Sequence, residues 1–256
     1  MTRQESQESL YGVPYHHLAH ESGKGEWRVG SFFNWGYVQL ALLELIKEKV
    51  KLYRPRRVLD FGCGDGRLLK ELLCAGIPEA VGVDISERAL AFARAFTYDY
   101  KTVKYYPSLH QIGESERPFD LIVTMEVLEH IPPGQLGITL KQLVELLRPD
   151  GILIVSVPTE NIRLVNRHFQ HFTIEKLEKE TKDLFHMDEF QFVCRKGIGY
   201  AAIRRLVSNR FFVANWTPWL KLLTWLFRRF VMKADAGTGA HIVAIFKRFP
   251  NTGESG

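Results

Sequence analysis

The sequence predicts an α/β protein built on an open, doubly wound and largely parallel sheet. Three observations predict it. From Arg57 to Val157, short apolar runs alternate with stretches of helical periodicity, which implies parallel crossovers. The first run feeds straight into a glycine-rich turn, Gly62-Cys63-Gly64-Asp65-Gly66. The second ends on a carboxylate, Asp84, at the sheet edge where such folds bind ligands.

The elements follow in chain order. Met1–Ser9 reads as a loose polar tail without the apolar core of a secretory signal. Tyr11 to Tyr37 is aromatic and glycine-bearing without a clean period, and reads as an N-terminal wrap or lid. Its adjacent His16 and His17 point opposite ways in extended chain, so one imidazole at most faces a site. Tyr37 to Lys51 carries Leu40, Leu43, Ile46 and Val50 at helical spacing. Val58-Leu59, Ala80–Val83, Val103–Tyr106, Asp120–Met125 and Ile152–Val157 read as successive strands. Arg67–Ala75, Glu87–Phe96 and Gln135–Leu147 read as helices between them. Thr173 to Asp183 is helical, with Thr173 as N-cap and Glu175 in the first turn. Phe190–Val193 is a sixth strand. Ala240–Lys247 is a last one, antiparallel and inserted near the sixth. This divides the chain into a tail and lid (1–36), a ligand-binding domain (37–196), a basic aromatic cap (197–233), and the last strand with its polar tail (234–256).

Composition sets the class. The 256 residues are 46% hydrophobic and 25% charged, which suits a globular chain with a sizeable core. The formal net charge of +5 is compatible with an anionic partner without naming one. Cys63, Cys74 and Cys194 are too few and too irregular for a disulfide scaffold, so a cytoplasmic, reducing setting is expected. No stretch reaches the roughly 18 uncharged apolar residues of a spanning helix.

The glycine turn has the spacing G-x-G-x-G. The dinucleotide fingerprint is G-x-G-x-x-G, and Arg67 stands where its third glycine would be. Asp84 can accept both hydroxyls of a ribose. The expected ligand is therefore a nucleoside, with little case for a diphosphate.

On these residues the chain resembles the class I S-adenosylmethionine-dependent methyltransferases. The match runs through Leu59-Asp60-Phe61-Gly62-Cys63-Gly64-Asp65-Gly66, Gly82-Val83-Asp84-Ile85-Ser86, Phe119 to Ile131, and Leu147-Arg148-Pro149-Asp150-Gly151. The resemblance implies a Rossmann-like, seven-stranded methyltransferase sheet and S-adenosylmethionine as cofactor. By it, Asp60, Gly62, Cys63, Gly64 and Gly66 frame the methionine end. Asp84 with Ile85 holds the ribose, and Glu126 lies over the methyl group. One departure is the stretch Tyr105 to His110, which lacks the family's usual acidic adenine contact and leaves Ser108 or a backbone group in its place.

Beyond the fourth strand stand Glu126, Glu129 and His130, the candidate catalytic residues. Were this a helical turn, i, i+3 and i+4 would share a face. With His168 and His171 after the fifth strand they offer the donors of a divalent-metal site. Without a metal, His130 is the best general base, its ordinary pKa being near neutrality. Two branches of the family share parts of this constellation, one through Met125 to His130, the other through Glu126, Glu129, His130 and a later histidine. They are the ubiquinone-biosynthesis O-methyltransferases and the metal-dependent 2′-O-methyltransferases of small-RNA 3′ ends. The resemblance implies O-methylation of a small or lipid-like acceptor. The alternatives are RNA ribose methylation and a non-catalytic cofactor-binding scaffold.

From Lys196 to Lys233 there are eight cations and no carboxylate, among Phe211, Phe212, Trp216, Trp219, Trp225, Phe227 and Phe230. Three readings stand: a cap packed on the core or walling a pocket, a helix lying in a membrane interface, and a platform for stacking RNA bases.

Overall fold

The computed structural model describes residues 9–29, 36–209 and 211–249. Residues 1–8 of the N-terminal tail, the Asn251–Gly256 tail, residues 30–35 of the aromatic segment and Arg210 of the cap lie outside the described residues. The chain enters through a short hairpin, β1 (Ala19–Glu21) and β2 (Trp27–Val29), and a long helix, α1 (Gly36–Tyr53). The sheet strands are β3 (Arg57–Phe61), β4 (Glu79–Val83), β5 (Val103–Tyr106), β6 (Phe119–Met125), β7 (Leu147–Pro158), β8 (Phe185–Arg195) and β9 (Gly239–Arg248). Helices α2 (Arg67–Cys74), α3 (Glu87–Phe96), α4 (Pro133–Leu146) and α5 (Ile174–Thr181) join them. Helices α6 (Ile198–Val207) and α7 (Thr217–Phe230) form the cap.

The seven strands are ordered β5-β4-β3-β6-β7-β9-β8. Strands β3 to β7 run parallel, and β9 lies antiparallel between β7 and β8. This is the Rossmann-like, seven-stranded sheet that the resemblance implies. The two-residue period of the strands sorts their side chains to opposite faces. Leu121, Val123, Ile152, Ile154, Val243 and Ile245 pack toward α1 and the cap. Ile122, Leu153, Val155, Ala244 and Phe246 pack toward α4 and α5. Both faces are buried, so the central strands read as continuous apolar runs.

Thr173 caps α5 as expected, its side chain accepting from the Lys176 amide at 3.2 Å. The sixth strand, expected at Phe190–Val193, is the longer β8. It is an edge strand whose middle is largely exposed, with Asp188 and Glu189 on it, so charge hides its pattern.

Candidate active site

Strand order creates the site. Chain direction away from β3 reverses between β4 and β6, and the carboxyl ends of these parallel strands open one cleft. A cavity of about 960 Å³ lies there. At one end it is lined by Phe61, Gly62, Val83, Asp84 and Ile85. Gly62 has φ of +80°, and a Cβ there would sit 2.3 Å from Val127 Cγ2, so only glycine fits. Each Asp84 oxygen accepts one backbone amide, Oδ2 from Gly64 and Oδ1 from Ser86, both at 2.9 Å. The carboxylate also lines the cavity. Ile85 is 65% exposed beside it.

Asp60 and Cys63 are placed differently. Both are buried and neither lines the cavity. Burial, with Asp84 nearby, pushes the Asp60 carboxyl up from 3.8 to about 8. Burial likewise pushes the Cys63 thiol up. Asp60 lies on β3 before the turn, and Cys63, within the turn, packs inward with Leu69 and Leu90. Ser108 lies outside the cavity lining as well.

The N-terminal wrap closes this end. Tyr11, Val13, Tyr15 and His16 line the cavity, and a Cβ on Gly64 would lie 2.7 Å from the Tyr11 hydroxyl. His16 lines the cavity, while His17 turns away to stack on Phe96 at 3.7 Å; Tyr15–His17 is a 3-10 turn, so the extended chain expected here is corrected. The anchor is Asp65, fully buried, which accepts the His16 amide at 3.0 Å and sits 2.9 Å from His16 Nδ1. Burial works against ionising Asp65, but His16 and His17 outweigh it and its pKa falls. Arg67 completes the clamp, donating to the carbonyls of His16 and Ala19. The residue that breaks the dinucleotide fingerprint thus holds the N-terminal segment in place.

At the other end, Glu126 follows β6 with φ of +58°, a left-handed conformation that costs a non-glycine residue free energy. The structure corrects the expected turn here. Only Leu128–His130 forms a tight 3-10 turn, and Glu126 stands outside it. Its Oε1 accepts from Ser156 Oγ at 2.8 Å, and its Oε2 lies 2.9 Å from His241 Nδ1, close enough for an ion pair though not aligned as a hydrogen bond. Burial acts to raise Glu126, but His241, Ser156 and His168 outweigh it, and its pKa is lowered.

Glu129, His130 and His168 come together, each offering a donor atom within 4.8 Å of the others. Glu129 is 1% exposed, and its Oε2 has no hydrogen-bond partner among the described residues. Burial and the neighbouring Glu126 hold its pKa well above the usual range. His130 Nδ1 donates to the Arg167 carbonyl at 3.1 Å, leaving Nε2 3.8 Å from Glu129 Oε1. Burial lowers His130, and takes His168 down to about 3 with help from His130 and His171. His171 is not in this group; its Nε2 pairs with His168 Nδ1 at 2.9 Å and orients that ring. Of the five expected metal donors, three therefore cluster. His171 stands behind one of them, and Glu126 is drawn to His241. Asn161 is structural, its amide tying to the carbonyls of Ala236 and Gly239.

His241 and Ser156 were missed at the level of sequence, as was the anchoring role of Asp65. His241 pairs in register with Pro158, opposite the end of β7. A signal existed: an antiparallel last strand begins where parallel strands end, so the first residues of β9 had to reach the ligand edge.

The cap forms the outer wall of this end, through Lys196, Gly197, Tyr200, Ala201 and Arg204. Its two helices pack inward by one face. Leu220, Leu223 and Phe227 are fully buried, and Phe227 lies against Trp27 and Tyr37 at ring distances of 5.5 and 5.2 Å. Trp219 packs on the same core, while Trp216 and Trp225 stay 68% and 57% exposed. No helix of the described residues is long and apolar enough to cross a membrane.

Comparison with known proteins agrees with this architecture. The ubiquinone biosynthesis O-methyltransferase of Aromatoleum aromaticum is 31% identical over 128 residues, 49% of this chain and 50% of that protein. The chain spans about half the length of such curated relatives. N-methyltransferase NodS from Bradyrhizobium japonicum, solved with S-adenosyl-l-homocysteine, superposes with a TM-score of 0.59 at 15% identity, covering 97% of this chain and 99% of that one. Magnesium protoporphyrin IX methyltransferase from Synechocystis, solved with S-adenosylmethionine, gives 0.58 at 15% identity, covering 97% and 98%. At that identity the likeness is one of fold. The family model described as a methyltransferase domain matches residues 35–196, well over half of the sequence. The chain belongs to the methyltransferase-domain family.

Proposed function

We propose that this chain is an S-adenosylmethionine-dependent O-methyltransferase acting on a small or lipid-like hydroxyl acceptor. One observation carries the reading. A single cavity runs from the glycine turn and Asp84 to Glu126, Glu129, His130 and His241, under the wrap at one end and the cap at the other. The residues fit the cofactor. Gly62 lines the cavity with no Cβ to project, Val127 packing where one would stand, and the Asp84 carboxylate lines the same end, where it would meet the ribose hydroxyls. Ile85 offers an apolar surface beside them. When bound, the cofactor supplies an electrophilic methyl group, which needs only an aligned and deprotonated nucleophile. The wrap would exclude water, and the imidazoles and carboxylates after β6 would hold the acceptor hydroxyl and receive its proton. The relatives' names favour neither an RNA acceptor nor a non-catalytic scaffold. The apolar wall given by Leu42, Met125, Ile162, Val165 and Tyr200 supports a lipid-like acceptor, met at a membrane surface by the cap. Three free cysteines, two of them buried, favour a cytoplasmic setting.

Calorimetric titration with S-adenosylmethionine tests the cofactor reading. The wild type should bind, and Asp84→Asn should bind about tenfold or more weakly, since hydrogen bonds to a charged group contribute roughly 1.5–3 kcal/mol. No binding by the wild type, or equal binding by a folded Asp84→Asn, overturns it. Recovery of labelled methyl on oxygen of a catechol or an alkyl phenol tests the acceptor class.

A divalent cation is a second reading, favoured by the buried Glu129 carboxyl, whose Oε2 has no hydrogen-bond partner among the described residues, beside two imidazoles whose pKa values burial lowers. Glu129, His130 and His168 would hold it, and it would supply a charge that lowers the pKa of a bound hydroxyl. Titration with Mn²⁺ should then show one saturable site that His168→Ala removes. An absence of stoichiometric binding ends this reading.

A further inference from the structure

The cap carries a second surface that its packing does not use. Helix α7 turns by about 100° per residue, so Lys221, Leu222, Trp225 and Arg229 fall within an arc of roughly 100°. That arc is opposite the buried face of Leu220, Leu223 and Phe227. Trp225 and Phe230 meet edge to face at 6.1 Å, and the Arg229 guanidinium lies over the Phe230 ring at 5.2 Å. The turn leading into α7 adds Phe211 (78% exposed), Phe212 and Trp216. Large exposed aromatics on neighbouring parts of one element mark an interaction surface, because water solvates such a patch poorly. Its charge is of one sign: residues 196–233 contain no Asp or Glu, and Arg204, Arg205, Lys221 and Arg229 are exposed. Among the described residues none of these four has an ion-pair partner. Arg228 is different, since Glu44 at 2.6 Å and Glu21 at 3.2 Å hold it inward.

We propose that this face docks on an anionic lipid surface, with the Phe211–Trp216 turn and the outer arc of α7 lying in the headgroup region. Mixed aromatic and cationic character with no spanning helix is the chemistry of an interfacial helix. The negative surface of such a bilayer complements a segment that carries cations and no carboxylate of its own. Docking brings the cavity mouth to the lipid, because α6 supplies Tyr200, Ala201 and Arg204 to the cavity wall and Arg205 to the patch. An amphiphilic acceptor partitioned in the membrane would then enter without crossing water. That last step rests on the lipid-like acceptor proposed above; the docking does not.

Flotation of the full chain with vesicles tests it without any acceptor. Phosphatidylcholine vesicles containing phosphatidylglycerol should carry the protein at low salt. Phosphatidylcholine alone should carry at least tenfold less, and added salt should release it. Lys221→Glu with Arg229→Glu should lower binding at least tenfold. Trp216→Ser with Trp225→Ser should do the same, while thermal unfolding and S-adenosylmethionine binding stay as in the wild type. A protein that remains unbound to anionic vesicles at low salt, or outward-facing variants that bind like the wild type, overturns the docking. So does concentration-dependent self-association in sedimentation that Trp216→Ser with Trp225→Ser abolishes and vesicles do not compete with, because the patch then seats a second copy. Vesicle binding without transfer to any amphiphilic phenol would leave the docking intact and remove the acceptor class.

Discussion

Glu126 shows how a single residue sets the character of the site. A left-handed backbone is disfavoured for a residue with a Cβ, by roughly 1–2 kcal/mol. In this conformation the half-buried carboxylate reaches Ser156 and His241. Asp60 poses the opposite problem, a buried carboxyl beside another carboxylate. In the unfolded chain it titrates near 3.8, and in the folded protein near 8. Between those values the folded protein keeps a proton that the unfolded chain has released. Its contribution is therefore most favourable below the lower value, falls as pH rises through the window, and stays low above it. Asp60→Asn should flatten this part of the profile. The variant should match the wild type near pH 4 and be the more stable above about pH 8. Urea unfolding across that range checks it, and an unchanged slope in the variant would show that another group is responsible.

Element by element, charge decides what packing alone leaves open. The inner face of α7 is fixed by Leu220, Leu223 and Phe227, and by Thr224 Oγ1, which accepts the Trp27 amide at 2.9 Å. Arg228 adds a clamp to α1 through Glu44 and lies 4.9 Å over the Trp27 ring. Half-buried and engaged on several sides, it should contribute more than the few tenths of a kcal/mol of an exposed pair. Arg228→Ala is expected to cost on the order of 1–2 kcal/mol in chemical unfolding, and Lys221→Ala less than about 0.5. Equal losses would mean that the inner and outer faces of the helix have been misassigned. The same contrast bears on the membrane: reversing Arg228 would damage the fold, whereas reversing Lys221 and Arg229 addresses the surface alone.

At the scale of the whole molecule, the last strand closes both the sheet and the site. β9 runs between β7 and β8, with Ile242, Val243, Ile245 and Phe246 buried and His241 at the ligand edge. Four such side chains contribute about 6–12 kcal/mol by burial, comparable with the whole stability of a domain. A chain ending at Asp235 should therefore fail to fold cooperatively, even though it retains every residue of the family match. Circular dichroism with thermal melting is the check; a cooperative melt in the truncated chain would show that β8 can close the sheet alone.

The sequence by itself determined the parallel half of the sheet and the glycine turn with Asp84 beside it, and it offered five metal donors without deciding which of them meet. These are local matters: a period of two, a period near 3.6, a turn that needs positive φ, and residues close in sequence to strand ends. The long edge strand escaped because exposure on its outer side mixes charge into the pattern. Only the tertiary structure decided which partners the carboxylates took. Glu126 meets His241 across 115 residues of chain, and Asp65 meets His16 across 49. It also decided that Arg228 is held while Lys221 and Arg229 are exposed, although the sequence sets all three among the same aromatics. Pairing at such separations depends on how elements stack, and no local pattern encodes that distance.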